Sequence, residues 1–203
     1  MAVVDPGLAT AHHSATDAPR LSPQEWGMLA FLMSEVAFFS TLIVTYLTYM
    51  GKDQSGPTPA TALSLPLVIG TTICLLSSSG TVHLAEMAMH RGLVGRFAML
   101  WSATILLGIV FLTGTAYEWH ELIYAKHLTI STNLFGSTYY TMVGFHAFHV
   151  TVGVIALVTL LIVVLRNEMT PRHALGVRLG SWYWHFVDVV WVVVFTVVYL
   201  VSR

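Results

Sequence analysis

Glu35, His83, Glu86, His90, Glu118, His120, Glu121, His146, His149, His185 and Asp188 are the side chains of this sequence that could move a proton or hold a metal, and all lie in or beside apolar sequence. Two spacings carry most of the interest. His146 and His149 form H-x-x-H, and His185 and Asp188 form H-x-x-D inside SWYWHFVDVVWVVVFTVVYL. Residues three apart share one face of a helix. An ionisable group in hydrocarbon costs at least a few kcal/mol, so each of these needs a partner or a task.

Three chemistries come into view. Glu86 and His90 at E-x-x-x-H, with His83, His185 and Asp188, allow a carboxylate–histidine metal site; hydrogen bonding between helices and capture of lipid headgroups compete with it. Bis-histidine haem ligation needs two helices at matching depth. His146 and His149 share one helix, and His83 with His185 is the one pair that fits. Glu35 is a lone carboxylate near mid-membrane, where it could relay protons, anchor a partner helix or bond a neighbouring span. Ser34 and Ser40 beside it offer local hydrogen bonds.

The elements that must position these groups are membrane helices. Of the 203 residues, 56% are hydrophobic and 9% charged, against about 25% charged in soluble domains. Net charge is −1, so no basic surface invites nucleic acid. The single cysteine, Cys74, excludes an internal disulfide and any multi-cysteine metal site and reads as a small core-facing thiol. The fold class is all-α, a polytopic five-transmembrane-helix bundle, with spans at about 26–50, 63–89, 97–117, 139–165 and 182–201. The third link, EWHELIYAKHLTISTNLFGS, is the longest and has room for an interfacial helix.

Residues 1–23 read as a flexible cytoplasmic tail, with His12 and His13 solvated and no signal-peptide pattern, ahead of the 24–203 membrane domain. With the N-terminus inside, Arg20, Arg91, Arg96, Arg166, Arg172 and Arg178 are cytoplasmic, and Lys52, Lys126 and Arg203 are outside. That bias favours N-in, C-out. Trp26, Trp101, Trp119, Trp182 and Tyr199 fall where interfacial anchors belong. Counting helix rise from the apparent ends puts His146 and His149 near the outer end of the fourth span. The same count puts His185 and Asp188 near the inner end of the fifth, on the order of 20 Å away. It also puts Glu118, His120 and Glu121 at the outer interface.

Four ordered stretches carry a resemblance to subunit III of the haem–copper oxidases. LMSEVAFFSTLI resembles that family's span with a buried glutamate, at Glu35. ILLGIVFLTGTAYEWHEL resembles its A-x-E exit, at Glu118 and Glu121. FGSTYYTMVGFHAFHVTVG resembles its G-S…G-x-H-x-x-H-V signature, at Gly136, Ser137, Gly144, His146, His149 and Val150. WYWHFVDVVW resembles its terminal W-H-F-x-D-x-V-W, at Trp184, His185, Phe186, Asp188 and Trp191. The match runs over about residues 25–201 and resembles the shorter bacterial form, without the two helices that precede these in the seven-span form.

The resemblance implies a subunit of cytochrome c oxidase with no catalytic residue, metal or cofactor of its own, haem and copper residing in partner subunits. It implies packing on catalytic subunit I, contact with subunit II and small subunits, bound phospholipid, support of proton uptake and a site in the bacterial plasma membrane, and leaves membership of a respiratory supercomplex open. Glu35, Glu118, His146, His149, Trp184, His185, Asp188 and Trp191 are its structural, lipid or proton-related residues. Four alternatives stay open: subunit III of a quinol oxidase, a nitric oxide reductase accessory protein, a proton-coupled transporter and a membrane metalloenzyme. An odd number of spans and the lack of an internal repeat weigh against the transporter.

Overall fold

The computed structural model describes residues 21–52, 56–166 and 171–202. His12, His13, Arg20 and nearly all of the expected tail lie outside the described residues, as does Arg203. The elements in chain order are α1 (Pro23–Tyr49), α2 (Pro59–Ala62), α3 (Leu65–His90), α4 (Val94–Tyr124), α5 (Leu134–Arg166) and α6 (Pro171–Phe195), which runs into a π-helical turn, Thr196–Val201. Five of these segments are long and apolar enough to cross a membrane.

Local sequence explains the ends. Ser22 and Glu25 form a reciprocal capping box, with the Ser22 N–H donating to Glu25 at 2.7 Å and the Glu25 N–H to Ser22 at 3.3 Å, and Pro23 takes the first helical position. Gly92, at φ +72°, ends α3 by letting the Leu93 N–H return to the Ala88 carbonyl at 3.0 Å. This is the left-handed glycine closure of a Schellman turn, and α4 follows directly.

Helices α4 and α5 are 31 and 33 residues long, well beyond the roughly 20 needed to span a bilayer. Hydropathy alone stopped α4 at its first acidic residues, yet the helix runs on through Glu118–Tyr124 and takes up the expected interfacial helix. The only short helix among the described residues is α2, in the first link. Helix α6 starts eleven residues before the apolar run, at Pro171.

Helices α5 and α6 form the centre, with the closely packed α3–α4 hairpin on one side and α1 on the other. Buried residues make up 6% of the α1 spanning window and 44% of the last one. Among the described basic residues, Arg91, Arg96, Arg166 and Arg178 sit at one end of the bundle and Lys52 and Lys126 at the other.

Three tryptophans fill the core, and each indole N–H finds an acceptor: Trp101 the Leu157 carbonyl at 2.9 Å, Trp184 the Ser78 hydroxyl at 2.8 Å, and Trp191 the Thr72 hydroxyl at 3.0 Å. Trp101 and Tyr199 are therefore buried core residues and not interfacial anchors. Trp26 remains exposed, and Cys74 is half-buried.

Trp184 lies between two glycines. A Cβ on Gly108 of α4 would fall 2.7 Å from its ring, and one on Gly153 of α5 2.9 Å from it. Gly108→Val is expected to destabilise the bundle by about 1–3 kcal/mol through overpacking. A thermal melt of the detergent-solubilised protein measures it, and an unchanged Tm would show that the ring can move aside.

Candidate functional site

The polar groups collect in three places. The first joins α3 and α6. Ser79 donates its single hydroxyl proton to Asp188 and stands 3.1 Å from His185 Nδ1. With that proton committed, Ser79 accepts from an Nδ1–H of His185, which sets the imidazole tautomer. Asp188 is 3% exposed, and its second oxygen has no partner among the described residues. Glu86 and His83 lie close enough to His185 to interact electrostatically. His83 itself is exposed, and Glu86 also faces His90 at 3.9 Å.

The second joins α1 and α5. His149 Nδ1 bonds the Phe145 carbonyl at 2.7 Å, so Nδ1 carries a proton. His149 Nε2 then meets Glu35 at 3.1 Å. One further proton lies between them, making either a carboxylic acid against an imidazole or a carboxylate against an imidazolium. Glu35 thus bonds another helix. Ser34 does not serve it, since its hydroxyl donates to the Phe31 carbonyl at 2.7 Å. Tyr183 of α6 donates to the His149 carbonyl at 3.0 Å. The pair opens on an apolar lateral groove of about 760 Å³ between α1, α5 and α6, walled by Met28, Phe31, Phe148, Val152 and Leu160.

The third lies where α4, α5 and the π-helical turn meet. Glu118 is 3% exposed and accepts on one oxygen from both Tyr199, at 2.9 Å, and Tyr139, at 3.3 Å. The phenols stand 3.2 Å apart. Glu118 was expected at an interface; the extension of α4 carries it into the bundle. His146 is fully buried, stacked on Trp191 at 4.8 Å and edge-on to Phe111. Neither of its nitrogens has a partner among the described residues.

These positions correct the expected depths. The two spaced pairs are not most of a bilayer apart. His146 rests on Trp191, one turn from Asp188, and Tyr183, two residues before His185, bonds the His149 backbone. The miscount came from the ends, because α5 starts five residues before the expected border and α6 eleven before it. Among the described residues no group of three or more His, Cys, Asp or Glu is placed to hold a metal ion, so His83, Glu86, His185 and Asp188 do not form the single site their spacing allowed.

Ser78, Ser79, Thr72, Tyr139, Tyr183 and Tyr199 complete these clusters; Tyr139 lies inside FGSTYYTMVGFHAFHVTVG and Tyr183 inside WYWHFVDVVW, while the other four carry no motif of their own. The run SSSG inside an apolar helix was the available signal, since small hydroxyl residues bond helices to one another in membranes. Glu25 was also missed. It is buried and paired with Arg178 of α6.

Comparison with known proteins agrees with this architecture. The model of the family described as cytochrome c oxidase subunit III matches residues 8–203. Cytochrome c oxidase subunit 3 of Corynebacterium diphtheriae is 37% identical over 180 residues, covering 87% of each chain. The probable cytochrome c oxidase subunit 3 of Mycobacterium leprae is 35% identical, covering 86% of each. Cytochrome c oxidase subunit 3 of a Synechocystis species is 36% identical over 96% of this chain and 81% of its own. A five-helix membrane bundle with the Glu35, Glu118, His146–His149 and His185–Asp188 signatures, matched from end to end in this way, belongs to the cytochrome c oxidase subunit III family.

Proposed function

We propose that the chain is the non-catalytic third subunit of a haem–copper terminal oxidase, a cytochrome c oxidase of the aerobic respiratory chain. The observation that carries the reading is the family match over residues 8–203 on a five-span bundle. In this role the chain packs on catalytic subunit I, beside subunit II and small subunits. It lies in a bacterial plasma membrane with the N-terminus cytoplasmic and the C-terminus outside. The arginine-rich end of the bundle supports that orientation. Haem and copper belong to the partners, and this chain holds no redox centre.

Its own residues shape a lipid-facing surface and fix the helices around it. The apolar groove between α1, α5 and α6 fits phospholipid acyl chains, with the Glu35–His149 pair as its polar element. That pair bridges α1 and α5 beside the groove, and in this role it supports proton uptake from the inner face without touching a substrate.

Mild-detergent isolation of the chain from native membranes, with an absorption spectrum and mass spectrometry of what accompanies it, tests the proposal. Haem absorbance and a large multi-span partner are expected. A copper-binding partner that docks cytochrome c fixes the donor, and its counterpart lacking copper would make the complex a quinol oxidase. A colourless, solitary chain would overturn the reading and favour a transporter.

Glu35→Gln is expected to leave the initial rate of oxygen reduction nearly unchanged, because glutamine still bonds His149 and no metal or substrate contact is lost. Immediate loss of activity with the subunit still bound would assign Glu35 a direct catalytic proton step.

A further inference from the structure

On the face of the bundle away from the α1–α5–α6 groove, the α3–α4 turn carries a second concavity. It measures about 310 Å³ and is walled by Leu84 and Met87 of α3, Leu93 in the turn and Met99 of α4, with Arg91 and Arg96 at its mouth. Its apolar walls are open: Met99 is 64% exposed and Leu84 47%. Both arginines are exposed, and none of the ion pairs among the described residues involves either. The nearby carboxylate, Glu86, faces His90. Two guanidinium forks beside an apolar trough are complementary to a phosphodiester attached to acyl chains.

We propose that this turn is a binding site for one anionic phospholipid, its phosphate held by Arg91 and Arg96 and an acyl chain lying along Leu84, Met87 and Met99. Charge complementarity and position select this occupant. The site lies at a helix-end boundary, where headgroup meets hydrocarbon, and in the orientation proposed above it faces the anionic cytoplasmic leaflet. A free phosphate would satisfy the arginines and leave the trough uncovered. The Gly92 turn, at φ +72°, reverses the chain between the two arginines, so that one comes from the end of α3 and the other from the first turn of α4 on the same concavity.

The intact detergent-solubilised complex, transferred to phosphatidylcholine nanodiscs doped with phosphatidylglycerol, provides the test, with native mass spectrometry counting retained lipids. The wild-type complex is expected to retain one more phosphatidylglycerol than the R91A/R96A complex, and the variant to need about thirtyfold more of it for half-occupancy, from two lost headgroup contacts. Lipids of the larger groove stay in both. Equal retention by the variant overturns the proposal. Should the variant not assemble, the wild-type complex still decides, since equal retention of phosphatidylcholine and phosphatidylglycerol overturns it as well. Emptying of the site by sodium phosphate alone would make it a free-anion site and equally sink the lipid assignment.

Discussion

Trp184→Ala is expected to destabilise the bundle by about 3–5 kcal/mol, the range for truncating a large buried aromatic. The indole is fully buried and wedged between the bare backbones of α4 at Gly108 and α5 at Gly153, while its N–H bonds Ser78 of α3. One side chain of α6 therefore touches three other helices. Its removal leaves a void against two glycines that offer no side chain to collapse into it, and strips Ser78 of its donor. The expected readout is a large fall in the melting temperature of the solubilised protein and loss of the chain from its complex, with the haem spectrum of the remaining partners unchanged. A Tm within a degree or two of wild type would mean that the helices close the gap by shifting.

Ser79→Ala is the second large effect, expected at about 2–4 kcal/mol. Alanine adds no bulk and removes the hydroxyl shared by Asp188 and His185. Each polar group left buried without a partner costs about 1–3 kcal/mol. Asp188→Asn should be milder, because the amide oxygen still accepts from Ser79. Asp188→Ala should loosen the complex, again without altering the oxidase haem spectrum. Comparing detergent retention of the three variants separates a hydrogen-bond role from a packing role. Equal retention of Ser79→Ala and wild type would remove Ser79 from the account.

The number and order of spans could be read from apolar runs of about 20 residues, because hydrocarbon thickness imposes that length whatever the tertiary contacts. Their true ends could not. Glu118–Tyr124 and Pro171–Ser181 look too polar for a membrane helix, and tertiary contacts such as the phenols on Glu118 and the Glu25–Arg178 pair keep them helical. Depth counted from the wrong ends then misplaced His146 and Asp188. The ionisable members of the site stood out because hydrocarbon makes them costly. Their hydroxyl partners did not, since Ser79, Thr72 and Tyr199 are common in such helices and acquire a role only from the face they present across α3, α5 and α6. The Glu35–His149 pair lies 114 positions apart in the chain, and no local pattern announces so distant a bond.

The sparse burial of α1 bears on how the chain comes together during synthesis. This helix is fastened by a few polar rivets, Glu25 to Arg178 at one end, Glu35 to His149 in the middle and Tyr46 to Ser202 at the other end, with aromatic rings between them. All three receiving residues belong to α5, α6 or the last turn of the chain. The first helix of the bundle to be translated thus waits in the bilayer for nearly the whole chain to follow, and its final placement closes the assembly.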